Sequence, residues 1–331
     1  MILKRCSKSF IGYVILSIGL VLCVLWSLAV GEAKIPVKQV FAILGNVLGF
    51  VPSTGAEITD RLILLDIRLP RVLSALLVGA CLSCSGVIYQ GLLMNVLAEP
   101  YTLGVATGAA FGASFALVLN LRPIALFAFA GGAASLLISI FLSGGKSRIR
   151  NSTRLILAGV VVSSILSAGI TLLKALAGQQ ASVIVFWLLG SFSAADWTQV
   201  MLVLLSAFSV LVVGVCYSRD MDIIASGGPA DALGVDEKKT RMLLLFVSSL
   251  ATSIAVSTCG IIGFVGLVVP HLLRLIFGPE HRRLVVMAFL GGGILLVVAD
   301  TFSRMLGELP IGVLTALTGG PMFCFLLWRE R

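Results

Sequence analysis

A chain of 331 residues that is 59% hydrophobic and 12% charged, with a mean hydropathy of +1.11, departs from soluble globular usage, where charged residues make up about a quarter. Apolar runs repeatedly reach the roughly 20 residues that cross about 30 Å of hydrocarbon as helix, and the alternating segments of about 10 residues that a spanning β-barrel requires are absent. The net charge of +9 therefore reads as a topology signal and not as a nucleic-acid footprint, because Lys and Arg sit at the ends of apolar runs.

The chain opens with Lys4, Arg5 and Lys8 ahead of an apolar run from Ser9 to Gly31. That run exceeds the roughly 7 to 15 residues of a signal-peptide core, so it reads as a retained first span. Cutting at charges, Gly/Pro clusters and polar turns predicts ten spans, at roughly 10–30, 72–93, 101–119, 123–143, 155–174, 197–217, 242–259, 264–277, 284–303 and 311–328. The uncharged run 242–273 is too long for one span, and Gly260, Gly263, Gly266 and Pro270 mark the expected break. Ala175 to Ala195 is apolar but interrupted at 178–180 and 190–193, which predicts a partly inserted or surface helix. Ser218 to Arg241 is the longest polar interruption once the first spans have passed; Gly227, Gly228 and Gly234 surround a few helix formers, so it reads as a loop holding one short helix. The expected fold class is all-α, a polytopic membrane protein with about ten transmembrane helices in a single domain over 1–331.

Ten spans put both termini on one side. If that side is the cytoplasm, sixteen of the 24 Lys and Arg fall at inner ends and eight at outer ends, which fixes the orientation and makes 218–241 cytoplasmic. Five of the outer charges, Lys34, Lys38, Arg61, Arg68 and Arg71, crowd together before the second span. Interface snorkelling and partner docking both account for that crowding. Gly104, Gly108 and Gly112 recur four apart on the third span and predict close helix packing. The seven cysteines show no disulfide spacing, and Cys81 with Cys84 lies in a membrane helix without His or acidic company, a packing pattern with no metal site.

Little in the sequence could do chemistry. Few ionisable residues fall at mid-membrane depth, where ion-coupled transporters keep them. Asp300 reads as a local pair with Arg304 four residues on, and His271 after Pro270 as a packing residue. No phosphate loop, HExxH or GxSxG is present, so no hydrolysis is expected from this chain, and either its energy comes from elsewhere or it is a passive channel. A short helix in the 218–241 loop can serve as a lever for a moving partner.

Three blocks carry a family resemblance: RLPRVLSALLVGACLSCSGVIYQGLLMNVLAEPYTLGVATGAAFG at 68–112, GIIGFVGLVVPHLLRLIFGPEHR at 260–282 and ADTFSRMLGELPIGVLTALTGGPMFCFLL at 299–327. They resemble the FecCD-type permease subunits of ABC importers for iron chelates, haem and vitamin B12. The resemblance implies the type II importer permease fold, a second permease subunit (a homodimer), two ATP-binding cassette subunits and an external substrate-binding protein, with both termini cytoplasmic in the inner membrane. It implies no cofactor in this chain, with ATP and Mg held by the partner ATPase. By motif it assigns ATPase coupling to Pro229, Ala230, Asp231, Ala232, Leu233, Gly234 and Val235, although Asp231 stands where the family often has Arg. Docking of the binding protein, through exposed rim pairs, falls to Arg68, Arg71 and Arg304. A cytoplasmic gate falls to Asn95 and Leu97 with Ser152 and Thr153, the latter two also reading as helix N-cap residues. The cargo the family most often carries is a ferric siderophore, with cobalamin and haem as rivals. An ion-coupled secondary transporter is the alternative from another class.

Overall fold

The computed structural model describes residues 2–31, 35–47, 49, 58–145, 151–228 and 230–329. Pro229 and the basic residues Lys34, Lys146, Arg148, Arg150 and Arg331 lie outside them. Each predicted span has its helix: α1 (Ile2–Ala29), α4 (Leu69–Leu93), α5 (Val105–Val118), α6 (Ile124–Leu142), α7 (Ser152–Leu176), α9 (Trp197–Cys216), α11 (Glu237–Cys259), α12 (Val265–Phe277), α13 (His281–Met305) and α14 (Ile311–Arg329). Between them lie α2 (Val37–Val47), α3 (Ile58–Leu62), α8 (Ala181–Leu188) and α10 (Ser218–Ala225). Seven helices are long and apolar enough to cross a membrane among the described residues.

The second span starts earlier than its charges suggest. α3 runs through a π-helical turn at Ile63–Arg68 into α4, one continuous helix of 36 residues from Ile58 to Leu93. From Pro70 onward α4 is buried on nearly every side, as expected of a helix that is apolar all round. It lies against α13 so closely that a Cβ added to Gly79 would strike the carbonyl oxygen of Gly292, and one on Gly292 that of Gly79. Small residues replace the hydrophobic drive that lipid removes, letting backbones touch.

α5 and α12 are short, 14 and 13 residues, because each begins in the middle of the bundle. Gly266 in the first turn of α12 faces Leu82 and Gly86, midway along α4. Non-helical backbone at such depth persists only where protein satisfies it. Tyr101, in the 3-10 turn Pro100–Leu103 ahead of α5, donates its hydroxyl to Ile262 O at 2.7 Å and accepts Ile262 N–H at 3.3 Å, joining the two breaks. Ser135 and Ser139 of α6 donate to Gly104 O and Leu103 O.

The expected break at 260–270 is confined to Gly260–Phe264, and Gly266 and Pro270 lie inside α12. Pro270 lacks the N–H that would reach Gly266 O. Gln90 supplies the substitute, its Nε2 lying 3.2 Å from Gly266 O and 3.3 Å from Leu267 O. The glycine stripe is also redistributed: Gly104 precedes α5 with φ +81°, while Gly108 and Gly112 face the α6 backbone at Gly131 and Phe127.

Candidate functional site

The three arginines expected on an exposed rim are instead buried, Arg68, Arg71 and Arg304 being 5, 7 and 9% exposed. The reason lies in α1. A helix leaves its last four carbonyls without partners, at the negative end of its macrodipole. Arg68 Nη1 donates to Leu28 O at 2.7 Å, and Arg304 donates to Ser27 O and Val30 O at 3.0 Å each and to Ser27 Oγ at 2.6 Å. Two guanidiniums thus cap one helix end. Arg71 turns the other way, with Nε 2.9 Å from Asp300 Oδ1 and both terminal nitrogens 2.8 Å from the two Glu308 oxygens. Asp300, fully buried, also lies 3.3 Å from Arg304 Nε, so the expected local pair is part of a larger cluster closed by Arg71. Glu308 is half-exposed and sits in a turn with φ +62°, after Gly307 at φ +80°.

At the opposite end of α4 the 218–241 segment holds two helical pieces, not one. α10 precedes the 3-10 turn Ala230–Leu233. Its signal was legible: Ser218, Met221 and Ile224, three apart, are its buried face. In the turn, Ala230 and Val235 are buried and joined by Val235 N–H to Ala230 O at 3.0 Å, while Asp231, Ala232, Leu233 and Gly234 face outward. Leu233 is 62% exposed, a large apolar side chain presented on a braced turn. Arg241, 1% exposed, pairs with Glu237 at 2.8 Å and donates to Leu92 O in the last turn of α4, and Arg274 donates to Gln90 Oε1 at 3.0 Å.

Asn95 and Leu97 form the turn after α4, Asn95 Oδ1 accepting Leu97 N–H at 2.9 Å, and Leu97 is exposed. Ser152 and Thr153 are the first residues of α7, but its cap is Asn151, whose Oδ1 accepts Arg154 N–H at 3.0 Å. No hydrogen bond among the described residues joins the two pairs. An apolar cleft of about 490 Å³ opens between α8, the 260–264 break and α14, walled by Leu188, Phe264, Val313 and Leu317. A carboxylate besides Asp300 lies where few ionisable groups are expected: Glu99 enters a narrow cleft against Leu82, Tyr101 and Ile262. His271 is buried, edge-on to Phe323 with ring centres 6.2 Å apart. Among the described residues no cluster of His, Cys, Asp and Glu is placed to hold a metal ion.

Comparison with known proteins gives these features a setting. A model of the FecCD transport family matches residues 19–329. YvrB of Bacillus subtilis (strain 168), an uncharacterised ABC transporter permease protein, is 38% identical over 99% of this chain and 95% of its own length. HmuU of Yersinia pestis, a hemin transport system permease protein, is 37% identical over 96% of each chain. A solved metal-chelate type ABC transporter in an inward-facing conformation matches with a TM-score of 0.84 and 29% identity, over 96% of this chain and 98% of its own. The broken helices, the braced turn at 230–235 and the arginine cluster at the far end belong to one transport scaffold: the chain is a member of the FecCD transport family, permease subunits of ABC importers for metal chelates, haem, vitamin B12 and related cargo.

Proposed function

We propose that this chain is the membrane-spanning subunit of an ATP-driven importer that carries a metal chelate, a ferric siderophore before haem or a corrinoid, across the cytoplasmic membrane. The observation that carries the coupling is the exposed Leu233 on a turn anchored by Ala230 and Val235. A lone exposed Leu is ordinary on a protein surface; what marks this one is its place on a turn braced at both ends within the polar segment 218–241, which presents it to a partner at a fixed position. Two cytoplasmic ATPase subunits, which hold the ATP and Mg, grip residues 229–235, and their closure displaces the turn. The charge pattern supports a cytoplasmic position for this loop and for both termini.

A second copy of the chain faces the apolar cleft beside α8 and α14 and completes a central path, which Asn95, Leu97, Ser152 and Thr153 close at the cytoplasmic end. An external binding protein docks at the other end, over the rim braced by Arg68, Arg71 and Arg304. With their guanidiniums engaged inside the chain, these residues set the shape and positive potential of that rim, which steers an acidic partner.

The test is co-purification of the tagged permease with its ATPase, then transport and hydrolysis in lipid with Leu233→Asp. The variant is expected to keep its expression and lose transport, with hydrolysis no longer tied to cargo. Normal transport by Leu233→Asp removes the coupling role, and flux driven by an ion gradient alone, with no ATPase bound, refutes the importer reading.

A further inference from the structure

We propose that Asp222 and His281 form the joint through which movement of α10 enters the α4–α13 pair, making both positioning residues for transport; this rests on the ATP-driven reading above. A single carboxylate oxygen, Asp222 Oδ1, meets the His281 ring Nδ1 at 2.6 Å and accepts the His281 backbone N–H at 3.1 Å. His281 is the first residue of α13. The carboxylate therefore binds a helix N-terminus, where unpaired N–H groups and the macrodipole favour negative charge. α10 is fastened to the head of a long helix by two bonds, one of them short.

The imidazole is wedged in place. It is 4% exposed, and a Cβ on Gly91, in the last turn of α4, would run into its Nε2. Any displacement of α10 thus pushes on α13 through Asp222 and bears on α4 through the ring. From there the two helices continue as one body. Cys84 Sγ donates to Val285 O at 3.3 Å, the backbones touch at Gly79 and Gly292, and Asp300 meets Arg71 at the far end. The competing route is weaker. α10 reaches α11 by Thr240 Oγ1 to Asp220 Oδ2 at 3.5 Å, the limit of a hydrogen bond. The geometry routes motion from the segment beside the coupling turn into α13 and not into α11.

The experiment reconstitutes the permease with its ATPase in lipid and measures cargo moved per ATP hydrolysed. Asp222→Ala is expected to lower that ratio about tenfold, the effect of losing one charge-assisted hydrogen bond, while hydrolysis continues. Asp222→Asn, whose amide oxygen still accepts both N–H groups, recovers most of the ratio, and Thr240→Ala leaves it at the wild-type value. An unchanged ratio in Asp222→Ala, or transport and hydrolysis falling in parallel, overturns the proposal. If Asp222→Ala does not assemble, His281→Ala breaks the ring contact from the other side and is judged by the same ratio.

Amide exchange on the permease alone in nanodiscs separates the joint from the reading beneath it. In Asp222→Ala the amide of His281, which Asp222 accepts, and that of Leu284, the first bonded within the helix, lose protection whether or not an ATPase is present. Unchanged protection refutes the joint, while lost protection in a chain that binds no ATPase leaves the joint standing and refutes the importer reading.

Discussion

Arg71→Ala separates a docking arginine from a structural one. Arg71 and Asp300 have side-chain exposures of 9% and 0%. Removing one member of a buried pair costs about 3–5 kcal/mol, because the charge left behind has no compensation. Arg304, 3.3 Å away, keeps part of it, so about 3 kcal/mol is expected for Arg71→Ala. Glu308 is 48% exposed, and pairs open to water contribute about 1 kcal/mol or less. Glu308→Ala should therefore be nearly silent. Thermal unfolding in lipid nanodiscs can be followed by a thiol-reactive dye, since Cys81, Cys84 and Cys259 are buried, with the exposed Cys216 and Cys324 replaced by serine. Adding Asp300→Asn to Arg71→Ala removes the stranded charge and should return most of the lost stability, a coupling that a double-mutant cycle reads directly. If Arg71→Ala melts with the wild type, the cluster does not hold the bundle together and Arg71 is kept for a partner.

Two further outcomes follow from the middle of the bundle. Gln90→Ala strands Gly266 O, which Pro270 leaves without a helical donor, and is expected to cost about 1–3 kcal/mol; Pro270→Ala, which restores an N–H opposite Gly266 O, should offset part of that loss in the double variant, and strictly additive effects would contradict the substitution role of Gln90. Glu99, in the turn after α4, lies in the narrow cleft against Leu82, Tyr101 and Ile262. Glu99→Gln keeps the shape and takes the carboxyl out of an apolar site, so it is expected to raise the melting temperature in nanodiscs; a melting temperature equal to that of the wild type would show that Glu99 is solvated.

The spans were legible because apolar length alone decides what crosses a bilayer, and all ten predicted segments have helices. Their ends were not. Arg68 and Arg71 read as a boundary ahead of residue 72, yet the helix from Ile58 passes through both, since a charge ends a span only where it faces lipid or water and not where it is buried against another helix, as these two are. Pro270 reads as part of a break in the sequence because its substitute partner, Gln90, lies 180 residues away. The same distance hid the arginines' roles: residue type and position placed Arg68 and Arg304 near an outer edge, but only the fold brings α1's carbonyls to them. Glu99 carries no local signal, since its neighbours Leu82 and Ile262 are remote in the chain. Met221 and Ile224, by contrast, carry a local three-residue spacing that marks α10 without any tertiary information, although the glycine breakers place the one expected short helix farther on, between Gly228 and Gly234.

The capping of α1 has a consequence for how the protein is made. Its carbonyls are bonded by Arg68, forty residues downstream of Leu28, and by Arg304, 274 to 277 residues downstream. Synthesis runs from the amino terminus, so the first helix enters the bilayer with its end unfinished, gains one guanidinium early and waits for the second until nearly the whole chain has left the ribosome. The last bond formed there is a report of completion: a polypeptide truncated before α13 carries a first helix without its final cap.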